Sequence, residues 1–179
     1  MTYLEMLNSN IGVGTAVDLK YGFAQTAIAG TAGFRPMNTV EKQIVVEQLA
    51  KWAAVANLTF TETTENTGKT LMFGTDTFTA ADKPAVGYGY QPSAVSYTTS
   101  ADGKVAALTF TPLAGDVRID NGWLDRMQAD GSLNAFEYSM IAAVVAHEIG
   151  HCLGLSHPFG NQRSLPADYQ IKLLTVMAY

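Results

Sequence analysis

The stretch from residue 147 to 158, H-E-I-G-H-C-L-G-L-S-H-P, constrains this chain more than any other. His147 and His151 are four residues apart, so on a helix they point to the same side, one turn apart. Two neutral imidazoles held that way can both reach one Zn²⁺ at about 2.0–2.1 Å. Glu148 is rotated about 100° from His147 and falls beside such a metal. Gly154 can take the left-handed conformation that ends a helix. The chain then turns and returns His157 as a third nitrogen ligand. Three protein ligands leave a position open, the pattern of a catalytic rather than a structural zinc site. A buried helix whose histidines are core residues is the plainer reading. It would leave all three histidines of the chain inside one short window, with a Glu between two of them.

The segments leading to this stretch read as alternating strands and helices. Residues 17–24, V-D-L-K-Y-G-F-A, alternate as a first strand, and 25–37 is a small, Gly-rich loop. Asn38 is a good N-cap, and Glu41 completes a capping box. Val40, Ile44, Val45, Leu49, Trp52 and Ala56 then form one amphipathic face. L-T-F-T-E (58–62) and T-L-M-F-G (70–74) are strands, and 75–84 is a polar loop with two aspartates. Residues 85–91, A-V-G-Y-G-Y-Q, suit an edge strand, because Gly87 and Gly89 let another backbone approach closely. V-S-Y-T-T and V-A-A-L-T-F-T flank Asp102-Gly103 as a hairpin. D-V-R-I-D (116–120) is a final short strand. A second long helix starts at Asn134, with Glu137 three residues on, and runs through Phe136, Met140, Ile141, Val144 and Val145 to Leu153 or Gly154. Apolar around most of its circumference, it is expected to be buried. Asp116, Asp120 and Asp125 are candidate Ca²⁺ ligands, set against the plainer reading of solvated loop carboxylates. Cys152 falls about 100° round the helix from His151 and reads as a small buried residue rather than a ligand.

Composition excludes several classes. A net charge of −5 with no basic cluster argues against a nucleic-acid partner. The longest apolar runs fall far short of the roughly 18 residues that span a membrane. The start, M-T-Y-L-E-M-L-N, shows no secretory signal. One cysteine permits no internal disulfide and leaves the compartment open.

The zinc stretch, completed by T-V-M-A-Y at 175–179, resembles the metzincin zinc endopeptidases. W-A-A-V-A-N-L-T-F-T-E (52–62) and G-D-V-R-I-D (115–120) make it similar to the serralysin-like catalytic domain. The resemblance implies an α+β fold, with a twisted, mostly parallel sheet of about five strands packed on two long helices. It implies a single domain over 1–179, with an upper lobe to about 154, a zinc helix over about 135–153, and a small lower lobe over 155–179. It implies a secreted, monomeric metalloendopeptidase acting on protein or peptide substrates, open to a proteinaceous inhibitor. His147, His151 and His157 would hold one catalytic Zn²⁺, and Glu148 would be the general base on a metal-activated water. Met177 would form the floor beneath the metal. Tyr179 would match the family tyrosine that binds zinc or hydrogen-bonds the tetrahedral oxyanion. A zinc-bearing binding module without peptidase activity is the alternative, disfavoured by Glu148, since a structural site needs no base.

Overall fold

The computed structural model describes residues 16–27, 32–65, 70–79, 81–82, 84–91, 94–99, 101, 105–111, 113–128, 132–159, 166–171 and 175–178. Its elements in chain order are β1 (Val17–Phe23), α1 (Thr39–Val55), β2 (Leu58–Glu62), β3 (Thr70–Asp76), β4 (Gly87–Gly89), β5 (Ala94–Thr99), β6 (Val105–Phe110), β7 (Val117–Asp120), α2 (Asn121–Met127), α3 (Ala135–Cys152) and a 3₁₀ turn at Ala167–Tyr169. Five strands form one sheet in the order β2-β1-β3-β7-β4. Its first four strands run parallel, and β4 closes the edge antiparallel to β7. The expected hairpin is a separate two-stranded sheet, β5-β6.

The parallel order accounts for burial along β3. It lies between β1 and β7, and all seven of its residues are buried. It also runs two residues further than its apolar pattern predicts, because Thr75 and Asp76 find polar partners inside. Thr75 Oγ1 donates to the Arg35 carbonyl at 2.6 Å, and Asp76 lies 3.7 Å from the Arg118 guanidinium. A polar residue is tolerated in a buried strand when it is hydrogen-bonded, and a buried charge when an opposite charge lies near.

Both long helices begin with the capping boxes expected from Asn38–Glu41 and Asn134–Glu137. Each satisfies end-of-helix N–H groups that would otherwise be orphaned. α1 turns Ile44, Val45 and Leu49 into the core, while Val40 and Ala56, assigned to the same face, stand exposed at its ends. α3 is buried only from Ile141 onward. Its first turns project Phe136 (69% exposed) and Met140 (37%) into solvent, contrary to the expectation for the whole helix. α2 was not anticipated. Asp120 ends β7 and caps α2, accepting from Trp123 N at 3.0 Å. The core lies between the sheet and the two long helices, around Phe73, Val117, Ile119, Ile44, Ile141 and Ile149. No helix among the described residues is long and apolar enough to cross a membrane.

Candidate metal centre

The last turns of α3 carry His147, Glu148 and His151. Gly154 then ends the helix at φ 93°, a conformation that favours glycine. Leu155 N–H bonds to Gly150 O, and Gly154 N–H to His151 O, both at 2.9 Å. These two bonds make a Schellman end, which satisfies last-turn carbonyls and reverses the chain. The reversal brings His157 back over α3. Its Nε2 lies 3.1 Å from His147 Nε2 and 3.1 Å from His151 Nε2.

The tautomers follow from the other ring nitrogens. His147 Nδ1 lies 2.8 Å from Val176 O, and His151 Nδ1 lies 2.9 Å from Leu155 O. A carbonyl can only accept, so each Nδ1 carries the proton, and each Nε2 presents a lone pair. A proton on His157 Nε2 could bridge to one of those nitrogens but not both. The cluster is one that a single positive centre could share. It also fits one: at a zinc–nitrogen length of about 2.05 Å, nitrogens this far apart subtend about 98° at the ion, near the tetrahedral angle. Burial, followed by the neighbouring rings, holds His151 below its ordinary pKa, against the Leu155 bond that raises it. Burial and then His147 lower His157 as well. Both rings are thus neutral near pH 7, the form that binds a metal. Among the described residues, these three form the group of His, Cys, Asp or Glu that could hold an ion.

Glu148 is 7% exposed. Burial pushes its carboxyl up to about 7, while a hydrogen bond from the Gly89 backbone pulls it down. β4 presses on this part of α3 because it carries glycines. A Cβ at Gly89 would lie 2.2 Å from Glu148 O and 2.9 Å from His151 Cβ. One at Gly87 would lie 2.9 Å from Glu148 Oε1. On another face of α3, Gly150 makes room for Met177. A Cβ there would come within 2.4 Å of the Met177 sulfur and 3.3 Å of the Trp52 ring. Trp52 also donates its indole N–H to Ala146 O at 3.1 Å. Met177 is 4% exposed, as a floor requires.

The sequence profile of the matrixins matches residues 18–172, most of the chain. The chain belongs to the matrixin family of metallopeptidases. Serralysin G of Dickeya chrysanthemi is 28% identical over 156 residues, covering 81% of this chain and 28% of the relative. Serralysin B of the same organism is 30% identical over 157 residues, covering 81% and 27%. The chain thus spans less than a third of the length of these curated relatives. Among solved structures, myroilysin is 15% identical with a TM-score of 0.41, covering 79% of this chain and 49% of that one. The metzincin-type, serralysin-like character read from the histidine stretch holds at the family level.

Other candidates stand differently in this matrixin domain. Asp116, Asp120 and Asp125 are not drawn together as a metal group among the described residues. Asp116 is buried and 3.1 Å from Arg118; burial pushes its carboxyl up to about 6, against the pull of Arg118. Asp120 accepts from the backbone N–H of Phe78 and of Trp123, both at 3.0 Å. Asp125 lies at the surface, 3.3 Å from Arg35. Cys152 is 2% exposed, with its sulfur 3.5 Å from the Asp116 carbonyl. Burial pushes its thiol up. Tyr179 lies outside the described residues. Sequence reading missed the groups that orient the rings. The Val176 and Leu155 carbonyls belong to the backbone and leave no trace in residue identity. The Phe159 ring stacks on His157 at 5.5 Å and 11°, and nothing local marks it.

Proposed function

We propose that this chain is the catalytic domain of a secreted, monomeric zinc endopeptidase. His147, His151 and His157 hold the ion, and Glu148 is the general base. The observation that carries the reading is the convergence of Nε2 atoms 3.1 Å apart, two of them fixed as lone-pair donors, on a helix that also carries the buried Glu148 carboxyl. When bound, the ion supplies Lewis acidity toward a carbonyl and makes water a better acid. Glu148 accepts the proton of the attacking water on its carboxylate and delivers it to the departing amine nitrogen. A base poised near neutrality serves both transfers, and a cation alongside favours its ionised form. Met177 forms the apolar floor, and Tyr179 is the donor toward the tetrahedral oxygen.

The substrate class follows from the open edge of the sheet. Tyr90 N bonds to Asp116 O, Gly115 N to Tyr90 O, and Asp120 N to Val86 O. Residues 86 and 90 therefore commit their backbone groups to the β7 side. By alternation along an antiparallel strand, those of 87 and 89 face away from β7, and of these the Gly89 N–H is already taken by Glu148. An extended peptide can add there as a further strand, held by main-chain hydrogen bonds. It would lie in a cleft between an upper lobe, ending near residue 154, and a small lower lobe over 155–179.

Glu148→Gln tests the reading. The variant should keep one equivalent of zinc and cleave casein at least about 10²-fold more slowly, because glutamine keeps the shape but accepts no proton. Cleavage at the parent rate would remove Glu148 from the mechanism. A parent chain that binds zinc but cleaves no protein or peptide would overturn the endopeptidase reading.

A further inference from the structure

The Leu155 carbonyl accepts two hydrogen bonds. One comes from His151 Nδ1 at 2.9 Å, the other from the side-chain amide of Gln91 at 3.1 Å. A carbonyl oxygen has two lone pairs, so both bonds stand together. Gln91 lies just beyond β4, far from Leu155 in sequence, and its base is firm. Its neighbour Tyr90 is tied to the β7 side through both its N–H and its C=O, each at 2.9 Å. The strand behind it is pressed on α3 at Gly87 and Gly89. Leu155 itself is partly exposed and directly follows the left-handed Gly154. Its peptide plane is therefore set by the few bonds that reach it, and the Gln91 bond arrives from a separate element.

We propose that Gln91 is a positioning residue of the metal centre: its amide holds the Leu155 carbonyl where that carbonyl receives the His151 Nδ1–H, so that the outer strand orients the second ligand. The proposal rests on the reading of His151 as a metal ligand. An imidazole whose Nδ1–H has a fixed acceptor keeps its Nε2 lone pair aimed, and loss of such a partner typically weakens metal binding about 10- to 100-fold. Gln91 acts one bond further out and touches water, so the expected loss is smaller, roughly threefold to tenfold.

The experiment uses the full chain as parent, Gln91→Met and Gln91→Arg. Methionine keeps the length without a donor, and arginine keeps a donor. Zinc dissociation constants are measured at pH 7 by competition with a chromophoric chelator, alongside the melting temperature of the metal-free proteins. The expected result is a roughly threefold to tenfold weaker constant for Gln91→Met, a value within about twofold of the parent for Gln91→Arg, and unchanged metal-free melting. A Gln91→Met constant within about twofold of the parent overturns the proposal. So does equal weakening in both variants, which would mean that shape rather than the hydrogen bond matters. Lower metal-free melting in Gln91→Met would assign the residue to stability alone. A parent that binds no zinc would instead sink the ligand reading, and this inference with it.

Discussion

Replacing Gly89 by alanine puts a methyl group where the structure has no room. The new Cβ would sit 2.2 Å from the Glu148 carbonyl oxygen and 2.9 Å from His151 Cβ. Carbon–oxygen contacts settle no closer than about 3.3 Å, so strand and helix must part by about 1 Å. The obstruction is helix backbone, which cannot swing aside as a side-chain tip can. Overpacking of this kind costs about 1–3 kcal/mol. At about 2–4 °C per kcal/mol for a chain of this size, the melting temperature should fall by roughly 2–12 °C. The displaced turn carries Glu148 and His151, and a 1 Å misplacement costs on the order of 10²-fold in rate. Gly87→Ala is the internal control. Its Cβ would meet Glu148 Oε1 at 2.9 Å, and Glu148 Cγ and Val144 Cγ1 at 3.0 Å, all of them side-chain atoms that can give. Thermal melts and casein cleavage on both variants check the argument. Gly89→Ala should melt lower than Gly87→Ala. The reasoning is refuted if Gly89→Ala melts within about 1 °C of the parent and cleaves at its rate, or if Gly87→Ala is the more damaged protein.

Trp52→Phe removes the indole bond to Ala146 O and shortens the ring that reaches Gly150. It should cost about 0.5–1.5 kcal/mol by chemical denaturation, and no measurable loss would mean the bond is replaced by water. Glu41 is 2% exposed. Burial raises its carboxyl, but the bonds from Arg35, Gln128 and Asn38 outweigh that and hold it below the ordinary range of a glutamate. Such a group stabilises the fold above its unfolded pKa and loses that contribution as pH falls through the folded value. The melting advantage of the parent over Glu41→Gln should therefore be full at pH 6–7 and shrink below about pH 4.5; an advantage that grows in acid would contradict the pairing. Tyr179→Phe should lower kcat roughly tenfold to a hundredfold with little change in KM, measured on a fluorogenic peptide, since the bond would form mainly in the transition state. An unchanged kcat removes Tyr179 from the reaction.

Much of the scaffold could be read from residue identity because its signals are local. Asn38–Glu41 and Asn134–Glu137 announce both long helices, and Gly154 announces the end of the second. The G-Y-G of the edge strand marks a close approach whose partner is α3. Reading failed where tertiary partners override local pattern. Thr75 and Asp76 look like loop residues, yet they lie buried in β3 because Arg35 and Arg118 reach them. Phe136 and Met140 look like core, yet both stand exposed on the first turns of α3. Asp116, Asp120 and Asp125 look alike in sequence but are separated by fold, into an ion pair, a helix cap and a surface contact. At the metal centre the three histidines and Glu148 stand in one motif. The partners of the ring nitrogens are backbone carbonyls, one of which also accepts from Gln91 just beyond another strand, and no spacing in the sequence records those.

On the proposed function, three histidine nitrogens of this chain hold one zinc ion. X-ray absorption at the zinc edge, on protein purified without added metal and quantified for zinc, tests it most directly. The account predicts about one equivalent of zinc with imidazole nitrogens at about 2.0–2.1 Å and no sulfur in its shell. A sulfur neighbour at about 2.3 Å, or zinc far below one equivalent after dialysis against a zinc buffer, would contradict it.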